Sequence, residues 1–303
     1  MNKNNGFVYR NRIDAPDTGT TLLDFYRIRY PHSTAAEWLE RVRDGLVLCN
    51  GKSVNPDYRL RSGDQLEWRR TPWQEPGAPQ GLDLLLDEAA LLVIHKPAGL
   101  PVLPGAGFLQ NTALFKVRKR FGPDCFPVHR LGRWTSGALV FARNRESARN
   151  LGTSMQAGRF EKVYLALAAG SDLPDHFTVR VPIGPVAYDP LGTVFAASST
   201  GRPAESRVDV LRRCEAMNQS LVRIRILTGR PHQIRIHMAA AGYPLAGDPL
   251  YAPGGLPREG RALPGDPGYC LHAWKLAFPH PNSRDRVEVE CPLPEWAGQL
   301  NRD

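Results

Sequence analysis

The chain has 303 residues, 42% apolar and 23% charged, enough for one large core plus a small appended domain and too apolar for a disordered chain. Lysine and arginine outnumber acidic residues 39 to 30, a formal net charge of +9, which suits a polyanionic partner, nucleic acid or an anionic membrane surface alike. No stretch of about 18 apolar residues occurs, and the start MNKNNGFVYR lacks an apolar core. Neither a membrane span nor a secretion signal is therefore read, and a cytoplasmic location is expected. Cys49, Cys125, Cys214, Cys270 and Cys291 form no CxxC pair and read as reduced thiols. Cys125 and His129 make at most half a metal site, so no metal is expected.

In chain order, the first element is a helix over Thr34 to Val42, capped by Ser33 or Thr34, with Ala36, Leu39 and Val42 at three-to-four spacing and Gly45 as its stop. LVLCNGKSV follows, in which Asn50-Gly51 signals a hairpin turn, and then YRLRSGDQLEW alternates around a second turn at Ser62-Gly63-Asp64. From Trp38 through Leu66 the order of helix, glycine, valine, Asn-Gly-Lys and Leu-x-x-Gly-Asp resembles the S-four-like RNA-binding module. That resemblance implies that Arg41, Arg43, Lys52, Arg59 and Arg61 face RNA phosphates; on charge alone they read equally as a solvated face.

Residues 71 to 81, TPWQEPGAPQG, break helix and strand continuity and read as a linker between a domain over 1–70 and one over 82–303. Beyond it, LLLDEAALLVIHK, GALVFAR, KVYLALAAG, SRVDVLRR and SLVRIRIL read as strands. One helix runs from an Asn144 cap through Ala148, Leu151 and Met155 to Gly158, and another opens with Pro231 in its first turn and ends before Gly242. The fold class is α+β, with a mixed, largely antiparallel sheet. PGGLPREGRALPGDPG, residues 253–268, reads as a long surface loop.

Four segments carry the chemistry: KPAGLPVLPG at 96–105, HRLGRWTSGALVFAR at 129–143, KVYLALAAG at 162–170 and TGRPHQIRIHMAAAGYPLAGDPLY at 228–251. In this order and spacing, with LHAWKLAFPHP at 271–281, they resemble the RluA-type family of RNA pseudouridine synthases. The resemblance implies an isomerase that detaches, turns and rejoins the uracil of a uridine in ribosomal or transfer RNA, with no cofactor. The target base must leave its stack, so the resemblance places Arg130 in the vacated gap and Arg133 and Arg230 on the RNA. Tyr164 matches the aromatic that faces the base and Arg235 the cation that keeps a carboxylate ionised.

The nucleophilic aspartate of that family falls at Gly132, in the run His129-Arg130-Leu131-Gly132, and glycine offers neither charge nor nucleophile. Loss of a covalent nucleophile costs on the order of 10⁴ to 10⁶ in rate. Two readings stay open: an active synthase that recruits Asp124, Asp189 or Asp248, and a catalytically silent RNA-binding protein on the same scaffold. Without an acid at 132, Arg235 is expected to lie in the pocket with Tyr164 and Arg130, lacking a fixed counterion and attracting anions. Tyr164 also reads as an ordinary sheet tyrosine on one face with Lys162, Ala166 and Ala168, while Arg230 and Arg235 read as partners of their own helix. His129, His232 and His237 read as packing or hydrogen-bonding groups. A serine hydrolase built on Thr135-Ser136-Gly137 is set aside, because no GxSxG elbow is present. RNA, ribosomal or transfer, is the expected partner and a membrane is not; the sequence does not fix the oligomeric state, for which a monomer is the default.

Overall fold

The computed structural model describes residues 3–299. It divides into two compact units, Met1–Glu75 and Pro76–Asp303, and the division falls inside the proline- and glycine-rich segment over 71–81. No helix among the described residues is long and apolar enough to cross a membrane.

The first unit runs β1 (Phe7–Arg12), α1 (Leu22–Arg29), α2 (Ala35–Arg43), β2 (Val47–Cys49) and β3 (Gln65–Arg70). Its three strands pair antiparallel in the order β1-β3-β2. The α2 cap is Thr34: its hydroxyl accepts from the Glu37 amide while the Glu37 carboxylate accepts from the Thr34 amide, so two otherwise orphaned donors are satisfied. Trp38 from α2, Tyr26 and Leu22 from α1 and Leu66 from β3 fill the core, each essentially without exposure. Asn50 and Gly51 both lie at positive φ and close a two-residue turn between Cys49 and Lys52. The strand expected to return after this turn does not form. The chain runs beneath α1 instead, where Pro56 and Tyr58 carbonyls accept from the first α1 amides, and β2 finds its partner in β3. The sequence reading also lacked β1 and α1, although Leu22, Phe25 and Tyr26 stand at helical i, i+3, i+4 spacing and are the buried face of α1.

The second unit contains β4 (Asp83–Asp87), β5 (Leu91–Lys96), α3 (Ala113–Phe121), β6 (Phe126–Pro127), β7 (Ser136–Ala142), α4 (Arg145–Gln156) and β8 (Glu161–Ala169). It continues with β9 (His176–Val179), β10 (Ile183–Tyr188), β11 (Gly192–Ala197), β12 (Ser206–Cys214), β13 (Gln219–Ile226), α5 (Gln233–Ala240), β14 (Leu271–Pro279), β15 (Arg286–Glu290) and α6 (Glu295–Gln299). Ten strands form one sheet along β4-β5-β7-β14-β8-β13-β12-β9, with β6 on β7 and β15 on β14; β10 and β11 form a separate hairpin. Among the described residues only β7 and β14 pair in parallel, so the sheet is mixed and largely antiparallel, as expected of this α+β chain.

Strand β7 is buried along its whole length, which explains its unbroken apolar run. Leu139 and Phe141 face the core beneath α3 and α5, while Ala138, Val140 and Ala142 face the one beneath α4. Asn144 caps α4 by accepting from the Ser147 amide at 2.8 Å. Pro231, by contrast, precedes α5 rather than opening it. The cap is His232, at φ 53° and ψ 20°, a left-handed conformation that costs a non-glycine residue about 1–3 kcal/mol. Helix α3 went unread because KVRKRF is dominated by cations; its cap is Thr112, and Ala113 and Val117 supply its buried face.

Candidate active site

The segment around Gly132 is fixed from below by Lys96. Its side chain is fully buried, and its ammonium donates to the carbonyls of Pro97, Leu100 and Arg133 at 2.9, 2.8 and 3.0 Å. The Gly99 amide also donates to the Arg133 carbonyl. One buried cation thus ties the loop after β5 to the loop before β7, and a Thr135 amide bond to the Gly132 carbonyl closes the turn that presents Gly132. The sequence reading placed Lys96 at the head of the segment KPAGLPVLPG but assigned it no role.

A cavity of about 110 Å³ opens here, lined by Arg130, Gly132, Tyr164, Arg230, Arg235 and Tyr269 among others. Tyr164 comes from mid-β8, opposite Ile224 of β13, and is almost wholly buried. Burial pushes its phenol up to about 12, so it presents a neutral aromatic face. Arg130 is exposed at the rim, and Arg230 is half-buried with its Nε donating to the Pro203 carbonyl at 3.0 Å. No aspartate or glutamate lines the cavity among the described residues.

Arg235 corrects an expectation. It has a fixed counterion: Nε donates to Oδ2 of Asp248 at 2.6 Å and the Nη2 group to Oδ1 at 2.7 Å, with 3% and 0% of the two side chains exposed. The Nη1 group donates to the Pro264 carbonyl at 2.9 Å. Asp248 is itself held by the Leu250 and Tyr251 amides. Burial, the largest single influence, works against the Arg235 charge, and the Asp248 hydrogen bonds together with the charges of Tyr269, Asp248 and Tyr251 more than offset it, raising its pKa above the usual arginine value. The pocket is therefore not the unbalanced anion trap that the missing acid suggested. The guanidinium lies 4.2 Å from the Tyr269 ring centroid and 5.1 Å from that of Tyr251, a cation between two aromatic faces. Burial raises the Tyr269 phenol above its ordinary range, against the pull of the Arg235 charge and of a hydrogen bond to Thr135.

Gly132 has an ordinary backbone conformation, not the left-handed one that demands glycine. A Cβ there would stand 3.1 Å from the Tyr269 hydroxyl and 3.2 Å from that of Thr135. Both neighbours are hydroxyl groups, and both can donate to a carboxylate. A side chain at 132 would thus press on two hydroxyl donors, which must give by a few tenths of an ångström to admit it. Of the three carboxylates considered as replacements, Asp248 is committed to Arg235, while Asp124 and Asp189 are exposed and absent from the cavity lining.

Besides Arg230, three arginines expected at RNA hold partners of their own, and one of them, Arg59, donates to the Gly19 carbonyl at 2.9 Å. Arg133 donates from Nε to the Gly99 carbonyl at 3.1 Å and lies over the Phe108 ring at 4.6 Å, outside the cavity lining. Arg41 of the first unit stacks on Trp38 at 4.4 Å and Trp68 at 5.3 Å and ion-pairs with Glu37 at 3.9 Å. Arg43 and Lys52 are exposed. His129 and His237 are structural, as read: Nε2 of His129 accepts from the Val140 amide, and His237 bridges Ser206 and the Val181 carbonyl. Ser136 bonds His272 at 2.8 Å, but both are buried and tie β7 to β14 rather than opening to a substrate.

Residues 90–240 match the family described as RNA pseudouridylate synthase. The chain is 42% identical over 275 residues to an uncharacterized RNA pseudouridine synthase of Synechocystis sp., covering 90% of this chain and 94% of that one. It is 32% identical to the ribosomal large subunit pseudouridine synthase D of Neisseria meningitidis serogroup A, over 88% and 73% of the two chains. Among solved structures it is similar to human RNA pseudouridylate synthase domain containing 1, with a TM-score of 0.59 and 28% identity over 75% of this chain and 89% of that one. The fold and the site therefore define a pseudouridine synthase scaffold. The chain belongs to the RluA-type RNA pseudouridine synthases, isomerases whose substrate is RNA.

Proposed function

We propose that the cavity beside Gly132 receives one uridine turned out of structured ribosomal RNA, with Tyr164 and Tyr269 flanking the base. The lining carries the proposal: aromatic faces on an apolar floor, with Arg130 and Arg230 toward the opening. A flipped base needs a stacking surface, something to fill the vacated stack, and cations for the phosphates displaced with it. Arg130, exposed and without a hydrogen-bond partner among the described residues, fills the gap, and Arg230 meets the backbone. The choice of ribosomal RNA rests on the name of the Neisseria relative, and such a target goes with a cytoplasmic place of work. In the first unit, exposed Arg43 and Lys52 serve as phosphate contacts of an S-four-like module.

Arg235 acts here by position. Anchored on Asp248, it supports the Tyr269 ring whose hydroxyl borders Gly132. Isomerisation requires a group that attacks or deprotonates the detaching nucleoside, and the lining offers no carboxylate for it. One observation, Gly132 itself, favours a second reading in which the cleft binds RNA without isomerising it.

The deciding experiment adds back the protein, or its Gly132→Asp variant, to RNA from cells lacking it and counts pseudouridines. Product from the unaltered protein establishes a working isomerase with another base or nucleophile. Product from the variant alone, with a gain of at least about 10⁴-fold, establishes binding without chemistry. Absence of product and of RNA binding with both proteins overturns the reading of the cavity.

A further inference from the structure

His232 is held in an orientation that its neighbours fix independently of any substrate. The Tyr251 hydroxyl, on a fully buried side chain, donates to the Phe195 carbonyl at 2.7 Å. That hydroxyl has a single proton, so the 2.7 Å contact between it and Nδ1 of His232 requires Nδ1–H to be the donor. The imidazole tautomer follows: Nδ1 carries the proton and Nε2 is a bare acceptor. Burial, then the charge of Arg235, push the imidazole pKa down to about 4 against the opposite pull of Asp248, so the ring is neutral at physiological pH.

His232 lines the cavity. Its Nε2 makes no hydrogen bond among the described residues, and it is not among the unpartnered polar atoms sealed from solvent. Other nitrogen-bearing side chains there cannot accept. Arginines only donate, and the Gln233 carboxamide is spent: Nε2 donates to the Glu205 carbonyl and to Ser206, while Oε1 accepts from Thr228 and the Arg230 amide. A single ring acceptor therefore stands among donors. The left-handed backbone of His232 is the kind of local cost that persists where a side chain must be aimed.

With N1 bonded to the sugar, the base of uridine presents one N–H donor, N3–H, between two carbonyl oxygens; that of cytidine presents a bare nitrogen at the same place. We propose that Nε2 of His232 accepts the N3–H of the target uracil and is the residue by which the cavity distinguishes uridine from cytidine. The proposal rests on the reading that a nucleobase enters this cavity. Cytosine would set two lone pairs against each other at that contact, and an unmade buried hydrogen bond of this kind separates the two bases by roughly tenfold or more.

The test uses the full-length protein with ¹⁵N-labelled histidine, titrated with uridine 5′-monophosphate, cytidine 5′-monophosphate and 3-methyluridine 5′-monophosphate. The expected result is a bare Nε2 resonance in the free protein that moves on adding uridine 5′-monophosphate and not with the other two. His232→Asn, which tolerates the left-handed backbone but is too short to reach the base, should abolish the preference for uridine over cytidine. A protonated Nε2 in the free protein overturns the proposal. So does movement of the Tyr164 and Tyr269 ring signals with uridine while Nε2 stays still, an outcome that leaves the base-binding role of the cavity standing. If no nucleotide moves any cavity resonance, the proposal and the base-binding reading fall together.

Discussion

Arg235 and Asp248 form a buried ion pair whose two members are separated by 13 positions along the chain. Removing one partner of such a pair leaves an uncompensated buried charge, a loss of about 3–5 kcal/mol. Asp248→Asn is expected to lower the stability of the second unit by about that much in urea unfolding followed by near-ultraviolet circular dichroism. A loss below about 1 kcal/mol would mean that the Pro264 carbonyl and the two tyrosine rings suffice for the charge. Gly132 poses the opposite case. Its φ is ordinary, but two hydroxyl neighbours stand just over 3 Å from a Cβ, so an aspartate enters only as Tyr269 and Thr135 give by a few tenths of an ångström, and the activity of that variant is read beside its urea midpoint.

At the scale of elements, the contact between β7 and β14 is the most demanding in the sheet. Gly137 sits at φ 114°, and a Cβ there would lie 2.3 Å from the Ala273 carbonyl oxygen and 2.5 Å from its nitrogen. Backbone cannot yield as a flexible side chain does, so Gly137→Ala is expected to cost more than about 3 kcal/mol and to show as loss of soluble, cooperatively unfolding protein. The sequence showed a buried strand at GALVFAR but gave no sign that it pairs in parallel with LHAWKLAFPHP, because register between segments some 130 residues apart is not a local property. The loop over 253–268 illustrates the same limit. Its composition predicts a surface loop, yet the Pro264 carbonyl completes the Arg235 shell and the Gly265 carbonyl accepts from the Trp134 indole at 2.8 Å.

For the whole molecule, three wholly or partly buried histidines and the net charge of +9 set how the solvent acts on it. His129, His232 and His272 are each pushed down to about 4, chiefly by burial. In the unfolded chain a histidine takes its proton near pH 6.5, so between about 6.5 and 4 the unfolded state binds protons that the folded state does not. Stability is then full above pH 6.5 and falls as pH drops through that window, by up to about 1.4 kcal/mol per pH unit for each histidine. Urea midpoints compared at pH 7.5 and 5 should show this fall; a flat profile would place the three rings in contact with water. RNA binding should weaken as salt rises, and replacing Arg130 and Arg230 together by alanine should reduce the slope of log affinity against log salt by roughly 1.4–1.8 if each meets one phosphate. An unchanged slope would remove both from the RNA contact. By itself, the sequence determined the fold class, the α2 and α4 helices, and the order of motifs that marks the family, because caps, turns and alternation are written in neighbouring residues. It also determined that position 132 lacks an acid. The tertiary structure decided the charge balance of the site: it set Asp248 against Arg235, gave Lys96 three carbonyls, turned Arg133 and Arg41 onto aromatic rings and fixed the His232 tautomer. Each of those depends on groups brought together from distant segments, and a side chain's charge state and hydrogen-bond role are properties of its surroundings, which sequence spacing does not contain.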